Sequence, residues 1–345
     1  MASSAKILTS ALRQIDRSLT RSAKQRRRAS ISLANRHRRE AAKSYKLQQH
    51  QQVIASAAAA VRQYEDYVHS LVSLHHHAGP LIDWPGVLAE PAPSTPIRSS
   101  AQEGEAVALL AAYTPSFFAR TLKFEGRQRR ALEKKVELAR ESDEAAYVAQ
   151  QKEYKEHLAE WQQEQEMAKG VLSKDLAMYK AAVDYFEPFA ELADFGIGVH
   201  FEMFASYALA NLLIQPTAVI PATALSQTST GKLSRKAHSA SRSNGLTQEF
   251  ACSTAIRMAR ELFACLPFDL VVVNVLANLL DPSTGKTGDV TLLSVAFTRK
   301  SLEALEFELA EPVAALRNFT CNMKFSKTTG FTGVARIDPA TLLLH

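Results

Sequence analysis

Two long stretches, one without Gly or Pro and one without Pro, constrain this chain more than any other feature. Residues 34–77 contain neither Gly nor Pro, and residues 124–169 contain no Pro. Backbones rich in Ala, Gln, Glu and Lys, with every amide free to donate, settle into long helices. In the first stretch Ile54, Val61, Tyr64, Val68 and Leu71 recur at steps of three, four or seven, one stripe of a helix. In the second, Leu132, Val136, Ala139, Tyr154, Leu158 and Trp161 fall near heptad spacing. The two helices are of similar length, about 43 and 46 residues or roughly 65 Å each, which predicts an antiparallel coiled-coil hairpin.

Gly79, Pro80, Pro85, Gly86, Pro91, Pro93 and Pro96 make residues 78–100 a connector, with Trp84 pinned against the helices. Gly170 interrupts the second long helix, and a further helix carrying Leu176, Tyr179, Val183 and Phe186 stops at Pro188.

From residue 188 the pattern turns to β segments. Strands are expected at 196–204, 207–214, 270–280 and 290–297, helices at 247–266, 301–305 and 312–323, and a short last strand at 334–337. The expected class is α+β: a basic arm over residues 1–34, a helical hairpin over 35–187, and a β-β-α-β-β-α domain with a mixed or antiparallel sheet over 188–345.

The charge is uneven. Residues 1–50 hold thirteen Lys and Arg against Asp16 and Glu40, a charge of +11 in a chain whose total is +6, so the remainder carries −5. The run Arg26, Arg27, Arg28 with Arg36, Arg38 and Arg39 is suited to neutralising phosphates, which predicts contact with nucleic acid; the same residues suit an anionic membrane surface or an acidic partner. Cys252, Cys265 and Cys321 have neither metal-type spacing nor an even count, so no zinc site or disulfide framework is expected, and a reducing cytoplasm fits. No apolar run approaches the roughly 20 residues that span a bilayer.

Two segments imitate a phosphate loop. In Leu280-Asp-Pro-Ser-Thr-Gly285-Lys286-Thr287 the first position is Leu instead of Gly, and a β run follows where the motif needs a helix. This is turn chemistry between two strands. In Ser226-Gln-Thr-Ser-Thr-Gly231-Lys232-Leu-Ser234 both ends fail, yet Lys232, Arg235, Lys236, His238 and Arg242 among hydroxyl residues make a loop with capacity for phosphate contacts, beside the plainer reading of a solvated connection.

His75, His76 and His77 point in different directions on a helix and cannot share a metal. His200 and Glu202 lie two apart on a strand and face one side. Asp269, Asp281 and Asp289 at strand ends, with Glu261, are the carboxylates a magnesium-dependent nuclease would draw on, but no acid-x-Lys accompanies them on a strand. No catalytic residue, metal or cofactor is assigned.

The set Ser73-Leu-His75, Ile82-Asp-Trp84, Tyr113-Thr-Pro-Ser-Phe-Phe118, Pro188-Phe189, Thr230-Gly-Lys232, Glu261-Leu-Phe263 with Leu266-Pro267, Leu293-Ser-Val295 and Asn322-Met-Lys-Phe325 running to Thr329-Gly-Phe331 resembles a group of uncharacterised bacterial coiled-coil proteins, some with an extra N-terminal domain of unknown function. The resemblance spans residues 60–340 and brings no activity or catalytic residue with it. The expectation is a non-enzymatic interaction or scaffold protein that binds a partner or itself through helices 35–77 and 124–169, with the arm touching nucleic acid. The alternative is a phosphate-handling, nuclease-like enzyme sited in the C-terminal domain.

Overall fold

The computed structural model describes residues 37, 40–114, 125–280 and 285–342. The fold is α+β, a layer of helices on a mixed β sheet. Residues 40–72 are helical (α1) and end in a 3-10 turn, Leu74–His76. Two short helices follow, α2 (Trp84–Ala89) and α3 (Ala101–Ala111), then α4 (Glu125–Leu172), whose 48 residues span about 72 Å.

The chain that lies along α4 is the Pro-rich segment itself, running antiparallel. Successive contacts are Gln165 Nε2 to the Val87 carbonyl (2.5 Å), Trp161 Nε1 to the Glu90 carbonyl (3.0 Å), Arg98 with Glu144 (2.6 Å), Arg140 with Glu103 (2.7 Å) and the Tyr113 hydroxyl to Gln128 (2.5 Å). Leu132, Val136, Ala139, Tyr154, Leu158 and Trp161 are the half-buried stripe of α4. The buried Asp143 accepts from the Glu103 amide (2.9 Å), so α4 supplies the cap that Ser100, the N-cap residue of α3, does not. Gly170 permits the turn back into α5 (Leu176–Phe186), since a Cβ there would lie 2.1 Å from Met178 Cγ.

After α6 (Ala190–Asp194) come β1 (Gly198–Met203), β2 (Tyr207–Ile214), α7 (Pro216–Val219), a separate hairpin of β3 (Thr223–Gln227) and β4 (Leu233–Ala237), and α8 (Ala240–Cys265). Then follow β5 (Leu270–Leu280), β6 (Thr287–Thr298), α9 (Arg299–Glu303), α10 (Pro312–Ala315), β7 (Thr320–Ser326) and β8 (Gly330–Thr332). The sheet order is β1-β2-β5-β6-β7-β8, with β2 and β5 parallel and every other pair antiparallel. A parallel pair needs a long crossover, and α8 provides it.

Ser239 caps α8 by accepting from the Arg242 amide, and Leu266, extended before Pro267, ends it. Phe250, Ala251, Ala255, Ile256, Met258, Ala259 and Leu262 of α8 join Val271, Val273, Val275, Leu293, Val295 and Phe297 of the sheet in one core. Leu71, Trp84, Val171 and Tyr179 extend that core into the helical layer.

Three expectations change. Residues 312–323 are not one helix: α10 and a short 3-10 turn hand over to β7, because Thr320–Met323 pairs with β6. Residues 334–337 form no strand; they cross the sheet, with the Val334 amide donating to the Thr291 carbonyl (2.9 Å). The segment carrying Lys232, Arg235, Lys236, His238 and Arg242 is not a loop: Lys232 to Lys236 belong to the β3–β4 hairpin, in register from Thr223 opposite Ala237 to Gln227 opposite Leu233, and Arg242 lies on α8.

Candidate functional site

The β3–β4 hairpin lies against α1. Gln227 Nε2 donates to the Ile54 carbonyl (3.1 Å), Tyr64 meets His238 Nε2 (2.9 Å), and the Tyr67 hydroxyl donates to the Val219 carbonyl beside the hairpin (2.9 Å). Gly231 in the turn has φ +83°, where a side chain is strained, and its bare Cα lets Ile54 approach. Lys232, Arg235, Lys236 and Arg242 are all exposed on this hairpin and on the first turn of α8, and none of them forms an ion pair among the described residues.

Beside the hairpin a groove of about 520 Å³ opens between the start of α8 and the ends of the central strands. Ile220, Leu279, Leu292 and Phe331 wall it, and Ser243 and Asn244 bring polar groups. Asn244 Nδ2 donates to the Lys327 carbonyl (3.0 Å), which ties the β7–β8 turn to α8. Sequence patterning missed the groove because its walls come from segments far apart in the chain.

A buried ionic cluster sits at the opposite end of α8. Arg257 Nη2 meets Glu261 (2.6 Å) and Glu191 (2.9 Å), and Glu261 also accepts from the Gly79 amide (3.1 Å). Burial pushes the Glu261 carboxyl above its usual range, while Arg257 and the Gly79 N–H oppose the rise. Arg260 donates to the His75 carbonyl and stacks 3.7 Å from the Phe307 ring centre. Each of these side chains has a structural partner, although Arg257 Nε is buried without one, and the cluster reads as a clamp between α8 and the helical layer. The i, i+4 spacing of Arg257 and Glu261 was its one trace in the sequence.

The histidines sit at the end of α1, where the His75 and His76 rings meet edge to face with centres 4.4 Å apart. His75 is enclosed, Nδ1 against Ser253 Oγ (2.8 Å) and Nε2 against the Ala310 carbonyl (2.8 Å). Burial lowers its pKa, partly opposed by the Ala310 bond, with the neighbouring charges of His76 and Arg260 adding to the drop.

His200 begins a polar row that crosses the sheet. Register places His200 opposite Asn211, Asn211 opposite Asn274, Asn274 opposite Ser294 and Ser294 opposite Asn322. Ser294 Oγ donates to Asn274 Oδ1 (2.7 Å), Asn274 Nδ2 to Asn211 Oδ1 (3.0 Å), and the Ile337 amide to Ser294 Oγ (2.9 Å). Residues 334–337 thereby cover the central part of the row, which is a satisfied ladder holding the C-terminal segment in place.

The carboxylates of the nuclease reading do not converge. Asp269 precedes β5, Asp289 stands opposite Asn278 near the far end of that strand, and Glu261 is held by Arg257. Asp281 lies outside the described residues. Among the described residues no group of three His, Cys, Asp or Glu is arranged to hold a metal ion, and no helix is long and apolar enough to cross a membrane. Gly285 lies in the β5–β6 connection and Thr287 opens β6, pairing antiparallel with Leu280, so the helix a phosphate loop needs is replaced by β6. Arg26, Arg27, Arg28, Arg36, Arg38 and Arg39 lie outside the described residues.

No protein-family model, curated protein or solved structure matches this chain.

Proposed function

We propose that the chain is a non-enzymatic interaction protein that self-associates or binds a protein partner through α1, with its basic arm contacting nucleic acid. One observation carries the reading. The heptad positions Ile54, Ala57, Val61, Tyr64, Val68 and Leu71 are covered or half-covered by the body of the protein. The same register continues outward to Leu47, which is 59% exposed and has no covering element among the described residues, with Tyr45 and Val53 exposed nearby. A seam that runs past its own partner suits a second helix. The equivalent seam of α4 is occupied by residues 84–113, which leaves α1 as the docking element.

A cytoplasmic location belongs to this reading and is supported by the three free cysteines, two of them buried. Light scattering on a sizing column tests association: a concentration-dependent dimer that Leu47→Glu dissolves is expected, and a strict monomer at high concentration refutes it. For the arm, replacing Arg26, Arg27, Arg28, Arg36, Arg38 and Arg39 by Gln is expected to weaken nucleic-acid binding and flatten its salt dependence. Unchanged affinity and an unchanged salt slope would end that clause.

A further inference from the structure

Residues 203–248 contain no Asp or Glu, and neither do residues 312–337. The fold brings parts of these two stretches together. The first supplies β2, α7, the β3–β4 hairpin and the start of α8; the second supplies β7, β8 and the turn between them. They meet where Asn244 Nδ2 donates to the Lys327 carbonyl (3.0 Å) and where a Cβ on Gly330 would lie 3.1 Å from Asn244 Oδ1. The groove of about 520 Å³ lies at this junction.

From this geometry we infer that the face is a binding site for single-stranded nucleic acid, with the groove receiving an unstacked base. The cations follow a path: Lys232 at the hairpin tip, Lys236 along β4, Arg242 on the first turn of α8, and Lys327 in the β7–β8 turn tied to Asn244, with Arg235 on the other face of β4. All five are exposed, and none forms an ion pair among the described residues. The five residues of β4 cover roughly 16 Å, enough for successive phosphates of an extended strand.

The groove's lining carries no charged side chain and combines the Phe331 ring and apolar walls with Ser243, Asn244 and Thr329. That suits the faces and edges of a base, which a duplex keeps stacked and paired. Asp289, near the start of β6, is the acid of β5 and β6 among the described residues, and it already accepts from Asn278 Nδ2 (3.1 Å). Acid-free patterning alone would attract any polyanion. The groove is what selects a single strand.

The inference is independent of the N-terminal arm, and the test separates the two. Fluorescence anisotropy is measured with full-length chain, a labelled oligothymidylate, the matching duplex and heparin as competitor, over a range of salt. The single strand is expected to bind tighter than the duplex and to resist heparin better than the duplex does. Replacing Lys232, Lys236 and Arg242 together by Gln should cost at least about tenfold in affinity and flatten the salt slope by about 2, from roughly 0.7 per lost phosphate contact. Ala222→Trp, an exposed position lining the groove, should abolish the preference for single strands while leaving the salt slope unchanged.

Wild-type binding by the triple variant overturns the inference, as does equal affinity for strand and duplex or indifference to Ala222→Trp. If the arm variant loses all binding and the triple variant loses none, this inference falls and the arm stands. The reverse outcome removes the arm and keeps the groove.

Discussion

Arg257→Met tests the reading of the ionic cluster as a clamp. Arg257 Nη2 touches two carboxylates at similar range, Glu261 at 2.6 Å and Glu191 at 2.9 Å, so distance alone ranks them nearly equal. Exposure does not: the Glu261 side chain is 3% exposed and that of Glu191 is 71% exposed. Removing one partner of a buried pair leaves an uncompensated charge, at a cost of about 3–5 kcal/mol, whereas an exposed pair is worth about 0–1 kcal/mol. Arg257→Met should therefore lower the urea midpoint by roughly 2 M, taking a slope near 2 kcal/mol per M. Glu191→Ala should lower it by less than about 0.5 M, from the exposed-pair figure and the same slope. The double variant Arg257→Met/Glu261→Gln should recover much of the loss, because neither side then buries a charge. Equal costs for Glu191→Ala and Glu261→Ala, or no recovery in the double variant, would refute burial as the deciding factor.

Three further outcomes follow from the same structure. His75 is held below its ordinary value of 6.5, so the unfolded chain binds its proton first as pH falls. Stability measured by thermal melting should thus decline as pH drops below 6.5, and His75→Gln should flatten that decline, with His76, also lowered by burial, retaining part of it. Gly231→Ala forces a side chain at φ +83° to within 2.6 Å of Ile54 Cγ1; a loss of about 1–3 kcal/mol and faster proteolysis of the hairpin are expected. Burial pushes the Cys265 thiol up to about 12 and the Cys321 thiol to about 11, and raises Cys252 further, so a thiol reagent at mildly alkaline pH should label the native chain slowly and the urea-unfolded chain fully.

The long helices were legible because their signal is repetitive: Leu132 to Trp161 on α4 keeps one period for many turns, and the structure half-buries that stripe. What covers it was harder to read. Seven breakers between Gly79 and Pro96 announce a connection, yet an extended or kinked segment packs as well as a helix once Val87, Glu90 and Glu103 find partners on α4. The β3–β4 hairpin was missed for a different reason. Its Ser, Thr and Lys content lacks strand alternation, and its stability comes from α1, through Ile54 and Tyr64, outside any local window. Thr320–Ser326 follows Ala314, Ala315 and Leu316, good helix formers whose influence ends where pairing with β6 begins. The groove draws on α7, α8, β5, β6 and β8, so no sequence window contains it.

The hairpin also joins the two proposed surfaces. Its turn touches Ile54, only one heptad from the exposed Leu47, and its outer strand carries the cations that lead to the groove. If α1 pairs two copies, two basic faces are carried by one assembly, and a strand long enough to reach both binds the second without a second diffusional search. Leu47→Glu should then weaken binding of a long oligonucleotide by about tenfold or more and leave a short one untouched, since tethering changes effective concentration and not the site itself. Sizing with light scattering must show the variant to be monomeric for the comparison to count. An equal loss for long and short strands would mean that Leu47 acts on the site through the hairpin, and the link through pairing would be wrong. No loss for either would show that the two faces never engage one strand together.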